Sequence, residues 1–414
     1  MDWKEALKDN RLKAVLFWTD WCEDCEYVKK EFENVYNPYF AFVEVNADER
    51  PDLALRYSPQ IFPSISIISE GNVIGGIYGK VNAETIGEVL LKALDLSLGG
   101  GVLIKPNSSK VERIKYTIGE AISTIRRNCL AMFDIYYGGF EKEPKYFLPN
   151  VLIFLIELGD SYSLEVAKYT AEAAIYYLWD DGFYPYAKSY DWKMHPNFKL
   201  LDVNAEAIIA LLKLYEKTKD EYFLEYAIET GNWLLKNKID DLYPIAIVDR
   251  KIIKKYYIDV NSKIGEALIY LFKFTQDKKF RDEAISLKNK LLSYSSWSHL
   301  LNANVPLFFL DLAYLLRFLS YFKEGDSVVN LAKSKYSSED GTFYDVDSSL
   351  ANEEMIGRYK IMVENSIFAQ GLLNLGYFEE SRKIADYFLN SFYEFNYVDQ
   401  AEYGRLLVRL NETS

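Results

Sequence analysis

Residues 18–28 read WTDWCEDCEYV and contain two of the three cysteines of this chain of 414 residues. The short apolar run at 14–18 has the length of a strand, and apolar residues after the cysteines recur at helical spacing. This pattern predicts a strand, a turn that carries Cys22, and a helix that starts near Cys25. Unpaired N–H groups at a helix start favour a thiolate. We therefore expect Cys22 to be an attacking thiol and Cys25 to be the resolving thiol.

The next sixty residues continue a mixed pattern of strands and helices. The expected elements are a strand at 40–46, a helix at 50–57, a proline followed by a strand at 61–67, a turn at 70–72, a strand at 73–78 and a helix at 82–94. This order, together with the CxxC pair, resembles the thioredoxin family. The resemblance implies an α/β thioredoxin-like domain in which Pro63 is a cis proline beside the redox pair, and in which Trp21 and Pro63 bind the partner.

The redox segment departs from the family pattern at two places. Leu16 stands where the family commonly has a buried aspartate. Four carboxylates surround the cysteines, and they are expected to raise the pKa of Cys22 against the effect of the helix: Asp20, Glu23, Asp24 and Glu26. We expect a more reducing pair than in an average thioredoxin. One alternative is a thioredoxin fold used only for docking. Another is a metal site at the two cysteines, although the other candidate ligands are distant in sequence: Cys129, His195 and His299.

Composition narrows the classes of partner. The net charge is −13, and residues 1–100 carry 10 Lys and Arg against 17 Asp and Glu. An acidic redox surface argues against binding to nucleic acid or to anionic membranes. Three cysteines make no disulfide framework, and the start of the chain lacks a basic, apolar signal sequence, so we expect a cytoplasmic protein. The abundance of Lys, Glu, Ile and Tyr favours a thermophilic source.

The pattern becomes purely helical after residues 97–109, the only part of the sequence with the composition of a linker. We therefore predict a thioredoxin-like domain at 1–97, a linker at 98–108 and a helical domain at 109–414. The predicted helices are 109–131, 149–159, 161–179, 202–218, 220–237, 259–275, 277–294, 301–322, 325–335, 361–374, 376–393 and 398–411.

An internal repeat organises these helices. Residues 201–220 align without gaps on residues 258–277, and a third copy starts at residue 363. An aromatic turn precedes each copy, so a unit reads as aromatic turn, loop, inner helix, tight turn and outer helix. Six such pairs predict an all-α (α/α)6 toroid of the six-hairpin glycosidase type, with an open solenoid as the alternative. Asp202 and Asp259 are expected to cap helices, and three asparagines are expected to anchor loops: Asn204, Asn261 and Asn365.

Two loop motifs extend the resemblance to a second family. Residues 137–146 and 181–205 are similar to conserved segments of the spermatogenesis-associated protein 20 and YyaL-like proteins, which join a thioredoxin domain to an (α/α)6 barrel. The family's histidine and glutamate near Asn197 have no counterpart here. Four loop residues stand out as candidates for binding a sugar-like substrate: Glu143, Tyr184, Asp191 and Trp192.

Two functions from different classes follow from these patterns. The first is a thiol-disulfide oxidoreductase that acts on a protein disulfide or with a reductase partner, with the barrel binding substrate or partner. The alternative is a carbohydrate-active or carbohydrate-binding barrel with a docking thioredoxin domain; a pure scaffold is a third possibility. No phosphate loop, nucleotide fingerprint or metal cluster appears in the sequence, so neither a cofactor nor a metal is expected.

Overall fold

The computed structural model describes residues 1–99, 115–301 and 303–412. It divides the chain into two compact units, one of residues 1–112 and 348–357 and the other of 113–347 and 358–414. Most of the predicted linker at 98–108 lies outside the described residues. The predicted boundaries at 97 and 109 therefore stay a prediction.

The first unit contains a four-stranded sheet with helices α1 to α4. Its elements are α1 (Trp3–Leu7), β1 (Leu12–Trp18), α2 (Cys25–Glu33), β2 (Phe40–Asn46), α3 (Pro51–Tyr57), β3 (Ser64–Ser69), β4 (Asn72–Tyr78) and α4 (Ala83–Leu98). The strand order is β2-β1-β3-β4, with β2 parallel to β1 and the other neighbours antiparallel. Every predicted element in this part of the chain is present, and α1 is an addition that the sequence pattern did not predict.

The core of the first unit is apolar and lies where the sheet meets α2 and α4. It includes Leu16, Val28, Phe32, Ile67 and Leu90, each exposed by 2% or less. These residues alternate along the strands and recur at helical spacing on the helices, so burial of one face of each element explains the fold. Leu16 points into this core and makes it continuous beneath the redox segment.

Residues 348–357 complete the first unit, although they lie in sequence between two parts of the second. They begin with the helix α14 (Ser348–Glu353), which the sequence analysis did not predict. Arg50 forms ion pairs with Asp52 (2.8 Å) and with Glu354 (2.5 Å), whose side chain is fully buried. Lys4 pairs with the adjacent Glu353 at 2.7 Å on the surface. A charged contact therefore fixes this return segment, residues 348–357, to the start of α3.

The second unit contains twelve helices of at least ten residues within the described ranges. Outer helices are α5 (Ile118–Ala131), α7 (Ser161–Leu178), α9 (Glu221–Lys236), α11 (Lys278–Leu292), α13 (Asp326–Lys335) and α16 (Phe378–Phe388). Inner helices are α6 (Pro149–Leu158), α8 (Leu201–Thr218), α10 (Ile258–Thr275), α12 (Phe309–Ser320), α15 (Met362–Leu375) and α17 (Tyr397–Glu412). Each inner helix packs on the next, and α17 packs on α6. The ring is closed, so the toroid is confirmed and the open solenoid is wrong.

Short strands lie in the loops before the inner helices. They are β5 (Lys145–Tyr146), β6 (Trp179–Asp180), β7 (Gly182–Phe183), β8 (Tyr186–Ala187), β9 (Phe198–Leu200), β10 (Ala246–Val248) and β11 (Lys251–Ile253). β5 pairs with β8, β6 with β7, and β10 with both β9 and β11. We call the end of the barrel that these loops cover the loop end.

Three buried asparagines fasten the aromatic turns to the inner helices. The Asn261 side chain accepts a hydrogen bond from the Tyr243 N–H and donates to the carbonyls of Tyr243 and Tyr257. Asn204 makes the same set of bonds with Phe183 and Leu200. Asn365 repeats it with Phe343 and Ile361. The predicted role of the three asparagines as loop anchors is confirmed.

Two other sequence-based assignments in this unit are wrong. The helix predicted at 301–322 begins at Phe309, because Pro306 has no N–H for a helix interior and the preceding residues form a loop. Asp202 and Asp259 lie in the first turns of α8 and α10, but neither is an N-cap; those positions belong to Leu200 and Tyr257. Both carboxylates point towards charged neighbours of the barrel interior instead.

Candidate functional sites

Cys22 and Cys25 form a disulfide, with their Cα atoms 5.4 Å apart. Strand β1 ends at Trp18 and α2 begins at Cys25, so Cys22 lies in the turn between them. Cys22 is half-buried, whereas Cys25 is 3% exposed. The outer sulfur is therefore the one that a partner can reach, and the inner sulfur lies behind it.

Pro63 follows a cis peptide bond from Phe62, as the resemblance to the thioredoxin family implied. The Phe62 ring lies edge-on to the Trp21 ring, with centroids 6.4 Å apart. The Trp21 Nε1–H donates to Asp48 at 2.8 Å, which fixes the indole beside the redox turn. Ile61, before these residues, is exposed by 46%. Trp21, Ile61 and Phe62 thus form a partly apolar surface that connects the proline segment to Cys22.

Lysine side chains pair with carboxylates of the redox segment. Asp24 pairs with Lys80 at 3.3 Å, and Glu26 pairs with Lys30 at 2.8 Å. The hydrogen bond and the charge of Lys30 lower the pKa of Glu26. Asp20 accepts a hydrogen bond from the Asn46 side chain. The lysines offset part of the negative charge near Cys22, and the raised pKa of that thiol stays a prediction.

The two loop motifs of the barrel pack against each other. Strand β5 of the first motif pairs with β8 of the second, and the rings of Tyr137 and Tyr190 lie 5.3 Å apart. The Glu143 carboxylate accepts the Tyr190 N–H at 3.4 Å. Asp191 accepts from the Ser189 hydroxyl and pairs with Lys193, and these contacts lower the pKa of Asp191 to about 2. Both carboxylates therefore help to shape this loop.

The rings of Trp192 and Tyr184 are less accessible to a sugar than the sequence suggested. Trp192 is fully buried, its Nε1–H donates to the Tyr137 carbonyl, and its ring lies against Gly139, where a Cβ would be 2.4 Å away. The indole is thus a structural part of the loop, and its expected role as a surface for stacking a sugar stays a prediction. Tyr184 stacks on His195 at 3.7 Å, while Lys199 lies 4.6 Å from the ring centre.

A network of buried charges inside the barrel was missed by the sequence analysis. Arg317 of α12 pairs with Glu266 of α10 (2.9 Å) and with Glu402 of α17 (2.8 Å). Arg405, one helical turn after Glu402, binds the same carboxylate at 3.0 Å. The signal was visible in the sequence, because Asp311 and Arg317 interrupt the longest apolar run of the chain. Charges at core positions of an inner helix point inward and need partners.

A second group of charges lies nearer the loop end. Lys263 of α10 pairs with Asp202 (3.0 Å) and Glu206 (3.4 Å), both on α8. Burial raises the pKa of Glu206, and the charge of Lys263 opposes that effect. Buried carboxylates with shifted pKa values are typical of catalytic sites, and they also occur in structural ion networks.

The opposite end of the barrel, where tight turns join inner to outer helices, holds a cavity of about 330 Å³. Its lining alternates in charge and includes Glu157, Lys213, Arg405 and Arg409. Glu157 and Lys213 pair across it at 2.9 Å. The motif residues of the loop end do not line this cavity.

No helix within residues 1–99, 115–301 and 303–412 is long and apolar enough to cross a membrane.

Comparison with known proteins separates the two parts of the chain. The family model for thioredoxin matches residues 1–92. Thioredoxin of Synechocystis sp. is 30% identical over 95 residues, which are 22% of this chain and 89% of that protein. Thioredoxin 1 of Synechococcus elongatus is 29% identical over 94 residues, or 22% of this chain and 88% of its own length.

Solved structures match the helical part. Cellobiose 2-epimerase from Spirochaeta thermophila superposes with a TM-score of 0.56 at 14% identity, covering 72% of this chain and 99% of the epimerase. A family 76 glycoside hydrolase (mannosidase) from Bacteroides thetaiotaomicron gives 0.52 at 11% identity, covering 72% of this chain and all of that protein (100%). At these identities the likeness shows the (α/α)6 fold alone.

Proposed function

Residues 1–92 make this chain a member of the thioredoxin family, and we propose that it exchanges disulfides with a protein partner through Cys22 and Cys25. The observation that carries the proposal is the difference in exposure between the half-buried Cys22 and the buried Cys25 within one disulfide. An attacking thiol must reach its partner, and a resolving thiol must lie close behind it.

The reaction uses the two cysteines in sequence. The Cys22 thiolate attacks one sulfur of the partner's disulfide, the partner's S–S bond breaks, and its other sulfur leaves as a thiolate. The Cys25 thiolate then attacks the Cys22 sulfur, breaks the mixed disulfide and releases the partner's second thiolate. The partner gains two electrons and the Cys22–Cys25 pair loses two, so an external dithiol must reduce the pair before the next turnover.

Trp21 and Pro63 are the proposed contact residues for the partner. The surface of Trp21, Ile61 and Phe62 adjoins the outer cysteine and offers apolar area to an extended peptide. Its acidic surroundings favour partners whose disulfide lies near basic side chains.

Single-turnover reduction of a disulfide-bonded protein substrate tests this proposal in the full chain. We expect Cys22→Ser to abolish the reaction and Cys25→Ser to accumulate a mixed disulfide with the substrate. Cys129→Ala is the matched control, since the Cys129 thiol is buried and burial raises its pKa to about 12. Full activity of Cys22→Ser would contradict the proposal.

A second candidate function is the binding of a sugar at the loop end of the barrel. The observation that favours it is the group of Asp202, Glu206 and Lys263, which combines two partly exposed carboxylates with a cation in the interior of the closed ring. Retaining and inverting glycosidases both use a pair of carboxyl groups, one of them with a raised pKa. Glu143, Tyr184 and Asp191 in the adjoining loops are the proposed outer contacts.

A panel of mono- and disaccharides tests this second function by thermal shift of the full chain. We expect at least one sugar to raise the melting temperature, and Glu206→Gln to weaken that response. Lys92→Gln, an exposed change on α4, serves as the control. The absence of a response across the panel would contradict the sugar-binding function and leave disulfide exchange as the one proposed function.

A further inference from the structure

Three side chains from different elements meet at the loop end of the barrel. Asp259 lies in the first turn of α10, Asp311 in the first turn of α12, and His299 in the loop between α11 and α12. One ligand atom from each residue lies within 4.8 Å of the other two. None of these residues belongs to the CxxC site or to the two loop motifs.

The structure holds His299 and Asp311 firmly in place. His299 Nδ1 lies 2.7 Å from Asp311 Oδ1, and the other oxygen of Asp311 accepts the Phe308 N–H at 3.0 Å. The His299 carbonyl accepts the Ile258 N–H at 3.2 Å, and its ring lies between the rings of Tyr257 and Phe308. His299 is 3% exposed and Asp311 is fully buried. The two side chains thus form a preorganised, buried pair, and Asp259 beside them is partly exposed.

Asp259 adds a carboxylate oxygen that has no hydrogen-bond partner among the described residues. This atom, Oδ1, is buried. A buried carboxylate oxygen is normally hydrogen-bonded or bound to a cation. This observation is independent of the grouping of the three residues, and it leaves one carboxylate oxygen available to bind a cation.

The charges around these three residues also favour the binding of a cation. Lys263 is the nearby cation of α10, but its ammonium group is engaged by Asp202 at 3.0 Å and by Glu206 at 3.4 Å. Asp259 and Asp311 add two further carboxylates to the same region. Lys263 therefore has three carboxylates around it, Asp202, Glu206 and Asp259, and Asp311 adds a fourth beside His299.

We propose that Asp259, His299 and Asp311 bind a single divalent transition-metal ion, with Zn²⁺ as the preferred ion and Mn²⁺ as the second choice. One imidazole nitrogen and two carboxylates are donors that Zn²⁺ and Mn²⁺ accept, whereas Mg²⁺ and Ca²⁺ favour all-oxygen sites. Three protein ligands leave a position on a four-coordinate ion for water or substrate, as in catalytic zinc sites. The bound ion would thus give the barrel a centre for chemistry in addition to the redox pair.

Metal uptake by the chelator-treated full chain tests the proposal. The experiment uses Cys22→Ser/Cys25→Ser as the parent protein, so that reduced thiolates cannot bind zinc. The protein is dialysed against ZnCl₂, MnCl₂ or MgCl₂, and the bound metal is counted by elemental analysis. We expect about one zinc per chain, weaker uptake of manganese and no uptake of magnesium.

Variants at two ligands identify the site. Asp259→Asn and His299→Gln, each checked for folding by circular dichroism, should weaken zinc affinity by about tenfold or more. The matched control is His195→Gln, which removes the only other histidine, the one stacked on Tyr184. Cobalt substitution should give visible absorption bands that the two ligand variants lose. Failure of the parent to bind zinc, or equal binding by both ligand variants, would overturn the proposal and leave a buried hydrogen-bonded cluster.

Discussion

Asp24 is the carboxylate that lies immediately before the buried Cys25 in the redox turn. It forms an ion pair with Lys80 at 3.3 Å. A negative charge near Cys22 disfavours its thiolate, and the lysine opposes this effect. We therefore expect these two side chains to shift the pKa of Cys22 in opposite directions.

We predict that Asp24→Asn lowers the pKa of Cys22 by roughly half a unit, because the loss of a nearby negative charge favours the thiolate. Lys80→Gln should raise that pKa, since it removes the opposing positive charge. The measurement is the pH dependence of alkylation in a Cys25→Ser background, where Cys22 is the reactive thiol. Lys92→Gln on α4 is the control, and an unchanged profile in both test variants would contradict the prediction.

Glu402 is the buried carboxylate that the interior network depends on. Burial alone would raise its pKa, but Arg405 and Arg317 outweigh burial and lower the pKa to about 2. A carboxyl whose pKa is lower in the folded than in the unfolded chain stabilises the fold above its unfolded pKa. That stabilisation is lost as the pH falls from about 4.5 towards 2.

We predict that the barrel loses about 3 kcal/mol of unfolding free energy through this residue between pH 7 and pH 2. Glu402→Gln should remove that part of the pH dependence and cost about 3–5 kcal/mol at pH 7, because two arginines lose their shared partner. Urea unfolding at both pH values measures the effect. Glu379→Gln, an exposed change on α16, should leave stability within about 0.5 kcal/mol.

The repeated element of the barrel is an inner helix joined to its aromatic turn by one asparagine. Asn261 binds both backbone groups of Tyr243 and the Tyr257 carbonyl, all of them buried. The same three bonds recur at Asn204 and Asn365. This makes the asparagine the part of each repeat that fixes the loop to the helix.

We predict that Asn261→Ala destabilises the barrel by about 3 kcal/mol, because buried backbone groups of the turn lose their partners. Equilibrium unfolding in urea, followed by far-ultraviolet circular dichroism, measures the change. Asn289→Ala on the exposed face of α11 is the control and should change stability by about 0.5 kcal/mol or less. Equal losses of stability from the two substitutions would show that the hydrogen bonds of Asn261 do not stabilise the barrel more than an exposed residue does.

For single helices and their turns, the sequence predicted the features that depend on residues close together in the chain. The gapless alignment of 201–220 on 258–277 predicted two inner helices of equal length, and α8 and α10 have 18 residues each. Aspartates at helix starts were misread as caps because sequence position does not reveal a partner such as Lys263, 61 residues from Asp202. The same limit hid the group of Asp259, His299 and Asp311, whose members lie on separate elements.

For the whole molecule, the return segment makes the first unit discontinuous in sequence. No local pattern predicted this, because Glu354 lies 304 residues after its partner Arg50. The buried carboxylate of Glu354 and the buried side chain of Asp52 share one guanidinium. The thioredoxin-like unit therefore gains part of its stability from a distant part of the chain.

We predict that Glu354→Gln destabilises the first unit by about 1.5–3 kcal/mol, because a buried charged hydrogen bond to Arg50 is lost. Hydrogen exchange of residues 50–57 should report the loss as faster exchange at the start of α3. Glu353→Gln is the matched control one residue away, since its pair with Lys4 is exposed on both sides and is worth at most about 1 kcal/mol. Identical exchange in the two variants would contradict the prediction.

The return segment also has a consequence for biosynthesis. Residue 112 is synthesised roughly 240 residues before Glu354 is added. At about 5–20 residues per second, the nascent first unit waits on the order of 10–50 s with Arg50 and Asp52 but without the third member of their ion cluster. A chain that ends within the barrel before residue 354 therefore carries the CxxC pair of the thioredoxin-like unit but lacks its final charged contact.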